Sequence, residues 1–360
     1  MHPSITKNGI IPHAGIVMRA GYYGPMTAFV RGLGQAGEMQ TTDQPGSTTL
    51  DGHMDRRLGA VLGSVAGDAL GAPYEFDPPV PAEEPIRMHA NTTWELGEWT
   101  DDTAMSIPIL RALAHGEDLR DSDTQGRIVR EWVGWAEDAK DVGIQIGDVL
   151  RAVRGRMRGI DHVAELSRLA LEEAEALHQV RGRSAGNGSL MRTGPVALGY
   201  LDDPAGLIEA ATAISSLTHF EEDAAEACVV WSLAIRHAIL SGELALREQL
   251  GVLPEESQQK WAARLDEAEA GEPHEFENNG WVVAALQAAW SAIVRGDGLR
   301  DTLERAVRCG YDTDTVAAIA GSLAGAVYGA SQVPDEWRRE LHGWPGQRVD
   351  ALVEMVEAIS

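Results

Sequence analysis

The chain has 360 residues, of which 44% are hydrophobic, and it carries a formal net charge of −25 with only two cysteines. This length and hydrophobic content are typical of a globular protein and argue against a wholly disordered chain. The negative charge argues against binding along a nucleic-acid backbone, which depends on Lys and Arg. Two cysteines are too few for a disulfide framework, so the composition favours a reducing, cytoplasmic location.

Residues 1–53 are rich in Gly, Pro, Thr and Gln and show no sustained periodicity. We predict that they form a disordered extension or result from a mis-assigned start, with the true start at Met54. Pro12 and His13 interrupt the apolar segment that a secretory signal would need. The longest apolar stretch, Val316 to Tyr328, is shorter than the about 20 residues of a membrane-spanning helix, so no membrane partner is expected.

From Met54 onward, apolar residues recur with helical spacing and strand alternation is nearly absent. A proline-rich segment, 77–85, cannot be helical and is predicted to be a surface loop. We predict one all-α domain over residues 54–360, with helices over 54–71, 102–115, 122–138, 161–178, 204–215, 220–240, 256–269, 282–293, 298–307, 316–327 and 348–358.

The first candidate site segment runs from Gly67 to Glu75, at the end of the first predicted helix. A helix that ends at Gly71 before Pro73 accounts for the glycine and the proline. It does not account for Asp68, which lies among small apolar residues and would be costly to bury unpaired. Glu75 follows the helix and is free to project into a cleft.

Two acidic segments, Thr100-Asp101-Asp102-Thr103 and Asp312-Thr313-Asp314-Thr315, each precede an apolar helix. One interpretation is that both are ordinary helix N-caps, whose acids the helix dipole favours. However, grouped carboxylates repel one another unless cations lie between them. Oxygen ligands without His or Cys suit Mg²⁺ or Mn²⁺ rather than structural zinc. We therefore predict that the two segments together hold two hard cations.

Two further segments are candidates for binding an anion. The loop from Arg181 to Arg192 combines glycines, small polar residues and arginines, which suits a pyrophosphate. A plain turn is the alternative, since the loop lacks the Gly-Lys-Ser/Thr ending of a P-loop. His219 can donate a hydrogen bond to an anion or can simply be a first-turn residue of the next helix.

Together these segments resemble the ADP-ribosylglycohydrolase family, in the same order along the chain and over about Met54 to Gly329. The motifs that carry the resemblance are Gly67-Asp68-Ala69-Leu70-Gly71-Ala72-Pro73-Tyr74-Glu75, Trp99-Thr100-Asp101-Asp102-Thr103-Ala104-Met105, Gly186-Asn187-Gly188-Ser189-Leu190-Met191-Arg192, Thr218-His219 and Asp312-Thr313-Asp314-Thr315-Val316-Ala317-Ala318-Ile319-Ala320-Gly321. Five motifs in order are far more specific than any one of them.

The resemblance implies an all-α orthogonal helical bundle and hydrolysis of the C1″ bond of the distal ribose, which releases ADP-ribose from a protein side chain, with Arg favoured, or from a small molecule. It implies two Mg²⁺ or Mn²⁺ ions held by Thr100, Asp101, Asp102, Asp312, Asp314 and Thr315. The catalytic residues would be Glu75, Asp101 and Asp314, and the diphosphate would bind Gly186, Asn187, Gly188, Ser189 and His219. A second proton-transfer carboxylate stays open, with Asp68 or a metal ligand as candidates.

The chain departs from the family pattern at Tyr311, where a second glycine often precedes the Asp-Thr-Asp-Thr run. A ring there would narrow the cleft or stack on the substrate, which leaves the acceptor open. A non-catalytic ADP-ribose-binding protein or a crystallin-like structural relative is the alternative function, but all the matching acids are present. A phosphohydrolase with a His-Asp metal pair is disfavoured, because none of the 11 His residues is followed by Asp.

Overall fold

Helices make up nearly all the regular structure of residues 51–360, the part of the chain that the computed structural model describes. One short antiparallel pair, β1 (His342–Gly343) and β2 (Gln347–Arg348), precedes the last helix. The helices are α1 (Gly52–Gly71), α2 (Asp101–Ala114), α3 (Ser122–Trp135), α4 (Ile144–Arg156), α5 (Ala164–Arg181), α6 (Pro204–Ser216), α7 (Glu222–Ser241), α8 (Leu246–Gln249), α9 (Glu255–Ala270), α10 (Val282–Arg295), α11 (Leu299–Val307), α12 (Thr313–Tyr328), α13 (Asp335–Glu340) and α14 (Val349–Ala358). The predicted all-α class is confirmed.

The sequence pattern missed three helices, namely α4, α8 and α13. In α4, Gly147 and Gly155 lower the intrinsic helix propensity, whereas burial of Val149 and Val153 on one face stabilises the helix through tertiary packing. The first helix begins at Gly52 rather than Met54, after the N-cap residue Asp51. The prediction for the amino-terminal extension falls mostly on residues 1–50, which lie outside the described residues, and it stays a prediction.

Helix α7 (Glu222–Ser241) is long and apolar enough to cross a membrane by length and composition alone, with a mean hydropathy of 1.3. Charged residues such as Glu226 and Arg236 interrupt its apolar residues, so no uninterrupted apolar run in the sequence marks this helix. In the fold, 72% of this stretch is buried, and the helix packs against α6, α10 and α12. Core helices of soluble proteins have the same length and hydropathy, so this helix is weak evidence for a membrane span.

Helices α1 and α12 pack in direct backbone contact, and this contact positions the site. Glycines recur every four residues along α1, from Gly59 to Gly71, and therefore lie on one face of the helix. A Cβ at Gly63 would lie 2.4 Å from the carbonyl oxygen of Gly321, and a Cβ at Gly71 would lie 2.5 Å from Cα of Asp314. Only hydrogen fits there, so the glycine-rich face lets the two helices approach closely enough to bring α1 beside Asp314.

We expect Gly63→Ala to lower the free energy of unfolding by about 1–3 kcal/mol, the usual cost of overpacking a core. The added methyl group meets Gly321 and forces α1 away from α12, so metal affinity should fall as well. Urea denaturation with and without Mn²⁺ measures both effects. Gly134→Ala in α3 is the control: its Cβ would meet nothing within 4 Å, and stability should be unchanged or slightly higher. Equal stability of the two variants would contradict the close packing.

Candidate metal centre and substrate cleft

Two groups of carboxylates come together where α1, α2 and α12 meet. Asp68, Asp102 and Asp314 place carboxylate oxygens within 4.8 Å of one another, and Glu75, Asp312 and Asp314 do the same. Asp314 belongs to both groups. The first group is buried, whereas Glu75 and Asp312 are half-buried. The arrangement is that of two adjacent acidic pockets sharing one ligand, and each group is able to hold a metal ion.

Asp68 connects α1 to the start of α2. Its carboxylate is fully buried and accepts hydrogen bonds from the backbone N–H groups of Thr100 (2.9 Å) and Thr103 (3.0 Å), and from the Thr103 hydroxyl (2.5 Å). These bonds satisfy N–H groups that the first turn of a helix leaves without partners. Asp68 thus orients the turn that carries Asp102. The sequence indicated that Asp68 was unusual but did not predict this role.

The N-cap interpretation of the acidic segments does not account for their contacts. Neither Thr100 nor Asp312 makes a side-chain capping hydrogen bond. The Thr100 hydroxyl donates to Asp102 Oδ2 (3.1 Å) instead. Asp102 Oδ1 is buried without a hydrogen-bond partner among the described residues. A buried carboxylate oxygen without a partner is costly, and a cation bound there would offset that cost.

The other predicted ligands lie around these two groups. Asp101 belongs to neither group, but it lines the adjoining cleft, where its carboxylate accepts a hydrogen bond from the backbone N–H of Gly143 (3.4 Å). Thr315 is buried and lines the adjoining cleft. Asp312 accepts a hydrogen bond from the Asn187 side-chain amide (2.7 Å). The structure therefore brings all six predicted ligand positions to one place, with Asp101 lining the cleft beside the two groups.

Burial and mutual repulsion raise the pKa values of these acids. Burial raises the pKa of Glu75 to about 9, and repulsion from Asp141 adds to the effect. The same two causes raise the pKa of Asp101 to about 8. Burial raises the pKa of Asp68 to about 6, although hydrogen bonds from Thr103 and Thr100 act to lower it. Without a cation, the cluster therefore retains protons at a pH where carboxylates are normally ionised.

In the metal-free protein, kept so by EDTA, the free energy of unfolding should decrease as pH rises from about 4 to about 9. The unfolded carboxylates titrate near pH 4, so between those limits the folded chain binds more protons than the unfolded chain, and stability falls with pH. Urea denaturation in EDTA at several pH values measures this slope. Saturating Mg²⁺ or Mn²⁺ should remove most of the decline, because the cation replaces the protons. Stability that increases with pH in EDTA would contradict the crowding of acids.

The predicted diphosphate residues divide into two sets. Gly186, Gly188 and His219 line the cleft, and a Cβ at Gly186 would lie 3.2 Å from His219 Nε2. Asn187 also lines it and donates to Asp312, so it connects the loop to the carboxylates. Ser189 is buried behind the loop, where its hydroxyl accepts a weak hydrogen bond from the Cys228 thiol at 3.5 Å. Substrate contact by Ser189 stays a prediction.

A buried arginine orients His219. Arg192 is fully buried, stacks 4.1 Å above the Trp132 ring, and donates to the Thr218 hydroxyl oxygen (2.8 Å). That hydroxyl lies 2.7 Å from His219 Nδ1. Because Thr218 accepts from Arg192, its own proton can go to Nδ1, which leaves the ring proton on Nε2. Burial, together with the charge of Arg192, lowers the pKa of His219 well below its usual value. A neutral His219 thus presents an Nε2–H donor to the cleft.

Thr218→Val should weaken ADP-ribose binding by about tenfold, which is 1.4 kcal/mol, because His219 loses the bond that sets its tautomer. The free energy of unfolding should also fall by about 1–3 kcal/mol, since Arg192 loses a buried acceptor. Calorimetry with ADP-ribose and urea denaturation measure the two effects. Thr218→Ser keeps the hydroxyl and should behave like the parent chain. Parental affinity in the valine variant would show that the connection to His219 is dispensable.

The cleft has two distinct ends. One end, of about 110 Å³, contains Glu75, Asp312 and Asp314. It reaches His219 and the loop formed by Gly186, Asn187 and Gly188, here called the glycine loop. The other is an open groove of about 530 Å³ that includes Arg183 and Trp281. Gln145 and Gly186 border both spaces, so the groove continues directly from the cleft. A long, polar ligand can therefore extend from the carboxylates past the loop into the groove.

Comparison with known protein families identifies the family of this chain. The family model for ADP-ribosylglycohydrolase matches residues 49–360. The chain belongs to the ADP-ribosylglycohydrolase family. This confirms the family predicted from the five motifs, and it agrees with the position of those motifs around one cleft.

Several relatives in this ADP-ribosylglycohydrolase family carry names that describe ADP-ribosyl hydrolysis. The chain is 30% identical to the ADP-ribosyl-[dinitrogen reductase] glycohydrolase of Rhodospirillum rubrum, over 80% of this chain and 90% of that protein. It is 27% identical to the ADP-ribosylarginine hydrolase Tri1 of Pseudomonas putida, over 84% and 77%. It is 25% identical to the ADP-ribosylhydrolase ARH3 of Bos taurus, over 85% and 93%. These relatives support an enzyme that removes ADP-ribose.

A solved structure shares the ADP-ribosylglycohydrolase fold. The structure, described as an ADP-ribosylglycohydrolase-related protein complex, superimposes with a TM-score of 0.64 at 27% identity. The match covers 86% of this chain and 98% of that one. The predicted fold type is confirmed.

The sequence motifs did not include two residues of the cleft, Asp141 and Gln145. Asp141, in the loop before α4, lines the cleft and is the charge that most strongly raises the pKa of Glu75. Gln145 donates to the carbonyl oxygens of Ser184 (2.8 Å) and Thr218 (3.0 Å) and so joins the glycine loop to the His219 turn. Both precede or begin a helix that was not predicted. Recognising the apolar face of α4 would have placed them at a helix start.

Tyr311 combines an unusual backbone conformation with partial exposure. Among residues 51–360, Phe76 (φ 67°) and Tyr311 (φ 60°) are the two residues other than glycine with a left-handed backbone. This conformation costs about 1–2 kcal/mol for an L-residue with a side chain. Tyr311 is 37% exposed and is not among the described residues that line the carboxylate end of the cleft. The structure therefore does not support a cleft narrowed by the ring.

Proposed function

We propose that this chain is a metal-dependent hydrolase that removes ADP-ribose from a modified acceptor, with an arginine side chain favoured, by cleaving the C1″ bond of the distal ribose. The observation that carries the proposal is Asp314, which belongs to two carboxylate groups at the end of a glycine-lined cleft. The cleft also presents the buried, neutral His219. A cluster of carboxylates is by itself compatible with many kinds of site. Carboxylates next to a loop suited to an anion are what a ribose linked to a diphosphate requires.

The donor set fits two hard cations, and Mg²⁺ or Mn²⁺ is our proposal. All the converging groups are oxygens, and the unpartnered Asp102 Oδ1 lies in the buried group. Asp102, Asp312 and Asp314 would hold the ions with Asp68 close by, and Thr100, Asp101 and Thr315 would complete the predicted ligand set. When bound, such ions supply Lewis-acid polarisation and a template for the ribose hydroxyls.

Proton transfer is assigned to Glu75. It belongs to the outer carboxylate group, which consists of Glu75, Asp312 and Asp314, and its raised pKa allows it to hold a proton at neutral pH. Asp141 provides the second carboxylate that the glycine loop lacks, because it lines the same space and interacts electrostatically with Glu75. Two acids in different environments can divide the acid and base roles. In this scheme one carboxylate accepts the proton of the attacking water while a protonated group assists departure of the acceptor.

The rest of the substrate extends away from the carboxylates. Backbone N–H groups at Gly186 and Gly188 and the Nε2–H of His219 are suited to the diphosphate. The groove beyond them, with Arg183 and Trp281, has the polarity and the aromatic surface that a nucleoside needs. This order places the distal ribose at the carboxylate end, where the bond to the acceptor is cleaved.

We propose a cytoplasmic location and an ADP-ribosylated protein or small molecule as the partner. Cys228 and Cys309 are both free and buried, which suits a reducing compartment. The net charge of −25 favours a cationic acceptor over a polyanion. We expect neither nucleic-acid-backbone binding nor a membrane partner.

The test is release of free ADP-ribose from peptides ADP-ribosylated on arginine or on serine, with Mg²⁺, with Mn²⁺ and with EDTA. Release that requires a metal ion and is faster from the arginine peptide is the expected result. Release that persists in EDTA would contradict the metal requirement. Binding of ADP-ribose by calorimetry without release from either peptide would favour a non-catalytic binding protein.

A further inference from the structure

We propose that Phe76 and Tyr311 form the acceptor subsite, in which their two rings contact a planar cation such as the arginine guanidinium. The inference rests on the proposed function and names the residues that would select its acceptor. Both rings adjoin the outer carboxylate group in the chain: Phe76 follows Glu75, and Tyr311 precedes Asp312. Their positions therefore lie at the edge of the proposed reaction centre.

The two residues are fastened to each other through their backbones. The N–H of Phe76 donates to the carbonyl oxygen of Tyr311 (2.6 Å), and the N–H of Tyr311 donates to the carbonyl oxygen of Asp77 (2.7 Å). Both residues are held in the left-handed region, where glycine is favoured. The connection ties the segment after α1 to the segment before α12, so the two side chains leave the backbone from fixed, neighbouring points.

Burial does not explain why large rings occupy these strained positions. Phe76 is 78% exposed and Tyr311 is 37% exposed. Neither ring belongs to an aromatic pair among residues 51–360. Strained backbone at a functional site is typically kept for a contact that the site makes. The exposed ring surfaces, above all that of Phe76, are therefore available to an external ligand.

The direction of the cleft identifies that ligand as the acceptor. The glycine loop and the groove occupy one side of the carboxylates, which is the proposed path of the diphosphate and nucleoside. Phe76 and Tyr311 adjoin the carboxylate residues Glu75 and Asp312 in the chain and are not among the described groove residues. The group bonded to C1″ must project from the reaction centre away from the diphosphate, so the rim that carries these rings is the surface it would meet.

The chemistry of the rim favours a planar cation. Aromatic faces attract guanidinium groups by cation–π and stacking contacts. The acids Glu75, Asp77 and Asp312 are next to the two rings in the chain and add negative potential. A neutral serine acceptor would gain little from either feature. The rim thus supports an arginine acceptor on grounds independent of the names of relatives.

The experiment uses Phe76→Asn, Tyr311→Asn and the double variant, because asparagine tolerates the left-handed backbone but removes the ring. The matched control is Tyr328→Asn. Tyr328 has the same 37% exposure but ends α12, about 25 Å from Tyr311 along the helix axis. The substrates are ADP-ribosylagmatine and ADP-ribose carrying a methoxy group at C1″. These differ only in the acceptor, so the ratio of their kcat/KM values isolates acceptor recognition.

We expect the double variant to lower kcat/KM for ADP-ribosylagmatine, relative to the methoxy compound, by about tenfold, with intermediate values for the single variants. The control should keep the parental ratio. An equal loss on both substrates, or no loss on either, would overturn the proposal.

A binding measurement separates this inference from the proposed hydrolysis. Calorimetry follows agmatine binding to the parent chain and to the double variant, each saturated with ADP-ribose and Mg²⁺, with 1,5-diaminopentane as a cation that lacks the planar group. A lower affinity for agmatine in the double variant than in the parent chain would support the aromatic acceptor subsite even if neither substrate is cleaved. In that case only the hydrolase proposal fails. Equal agmatine affinity in both proteins would reject the acceptor subsite even if hydrolysis is observed.

Discussion

Asp314→Asn should lower kcat for ADP-ribose release by about 10³-fold or more, because metal ions supply several kcal/mol of transition-state stabilisation and each 1.4 kcal/mol is tenfold in rate. Asp314 is the one residue shared by the two carboxylate groups, so this change removes a ligand from both. Metal affinity should fall together with turnover. Single-turnover kinetics and Mn²⁺ calorimetry measure the two losses.

The fold should survive this substitution. Asparagine has nearly the same shape as aspartate, and the change removes a buried charge that neighbouring carboxylates repel. In EDTA at pH 8, the free energy of unfolding should therefore be unchanged or higher than that of the parent chain. Asp350→Asn, in the exposed first turn of α14, is the matched control and should leave activity and metal affinity intact. Parental turnover in Asp314→Asn would remove the two carboxylate groups from the chemistry.

Glu75→Gln should lower kcat by about 10²–10⁴-fold, the usual contribution of a general acid or base. Metal affinity should fall much less than in Asp314→Asn, because Glu75 belongs only to the outer, half-buried group. The pH–rate profile should also lose the limb that reports this carboxyl group. Steady-state kinetics over a range of pH values, together with Mn²⁺ calorimetry, tests both statements.

Glu83→Gln provides the control for this prediction. Glu83 is an exposed acid in the same proline-rich loop that follows Glu75, so its substitution makes the same change of charge and size. Its activity should equal that of the parent chain. If Glu75→Gln retained a normal rate while Asp141→Asn did not, proton transfer would belong to Asp141, which lines the same cleft.

Local patterns in the sequence were sufficient for the fold class and for most of the elements. A helix buries one face, and the 3.6-residue period of apolar residues in α10 and α12 is visible without any structure. Helix α4 shows the limit of this reasoning, because its glycines obscured a pattern that packing nevertheless stabilises. The acidic segments were identified for a similarly local reason: paired carboxylates beside threonines are unusual at a helix start unless something binds them.

The sequence by itself thus determined the helical class, the family and the residue types that meet at the site. Which of those residues face one another was decided only by tertiary structure. The glycine face of α1 lets its backbone touch α12, and this contact brings Asp68 within reach of Asp314. The burial of Arg192 behind His219 and the backbone connection between Phe76 and Tyr311 likewise join segments far apart in the chain. Helical periodicity specifies a face of each helix, but the register and separation of two packed helices depend on side chains from both, which no single segment contains.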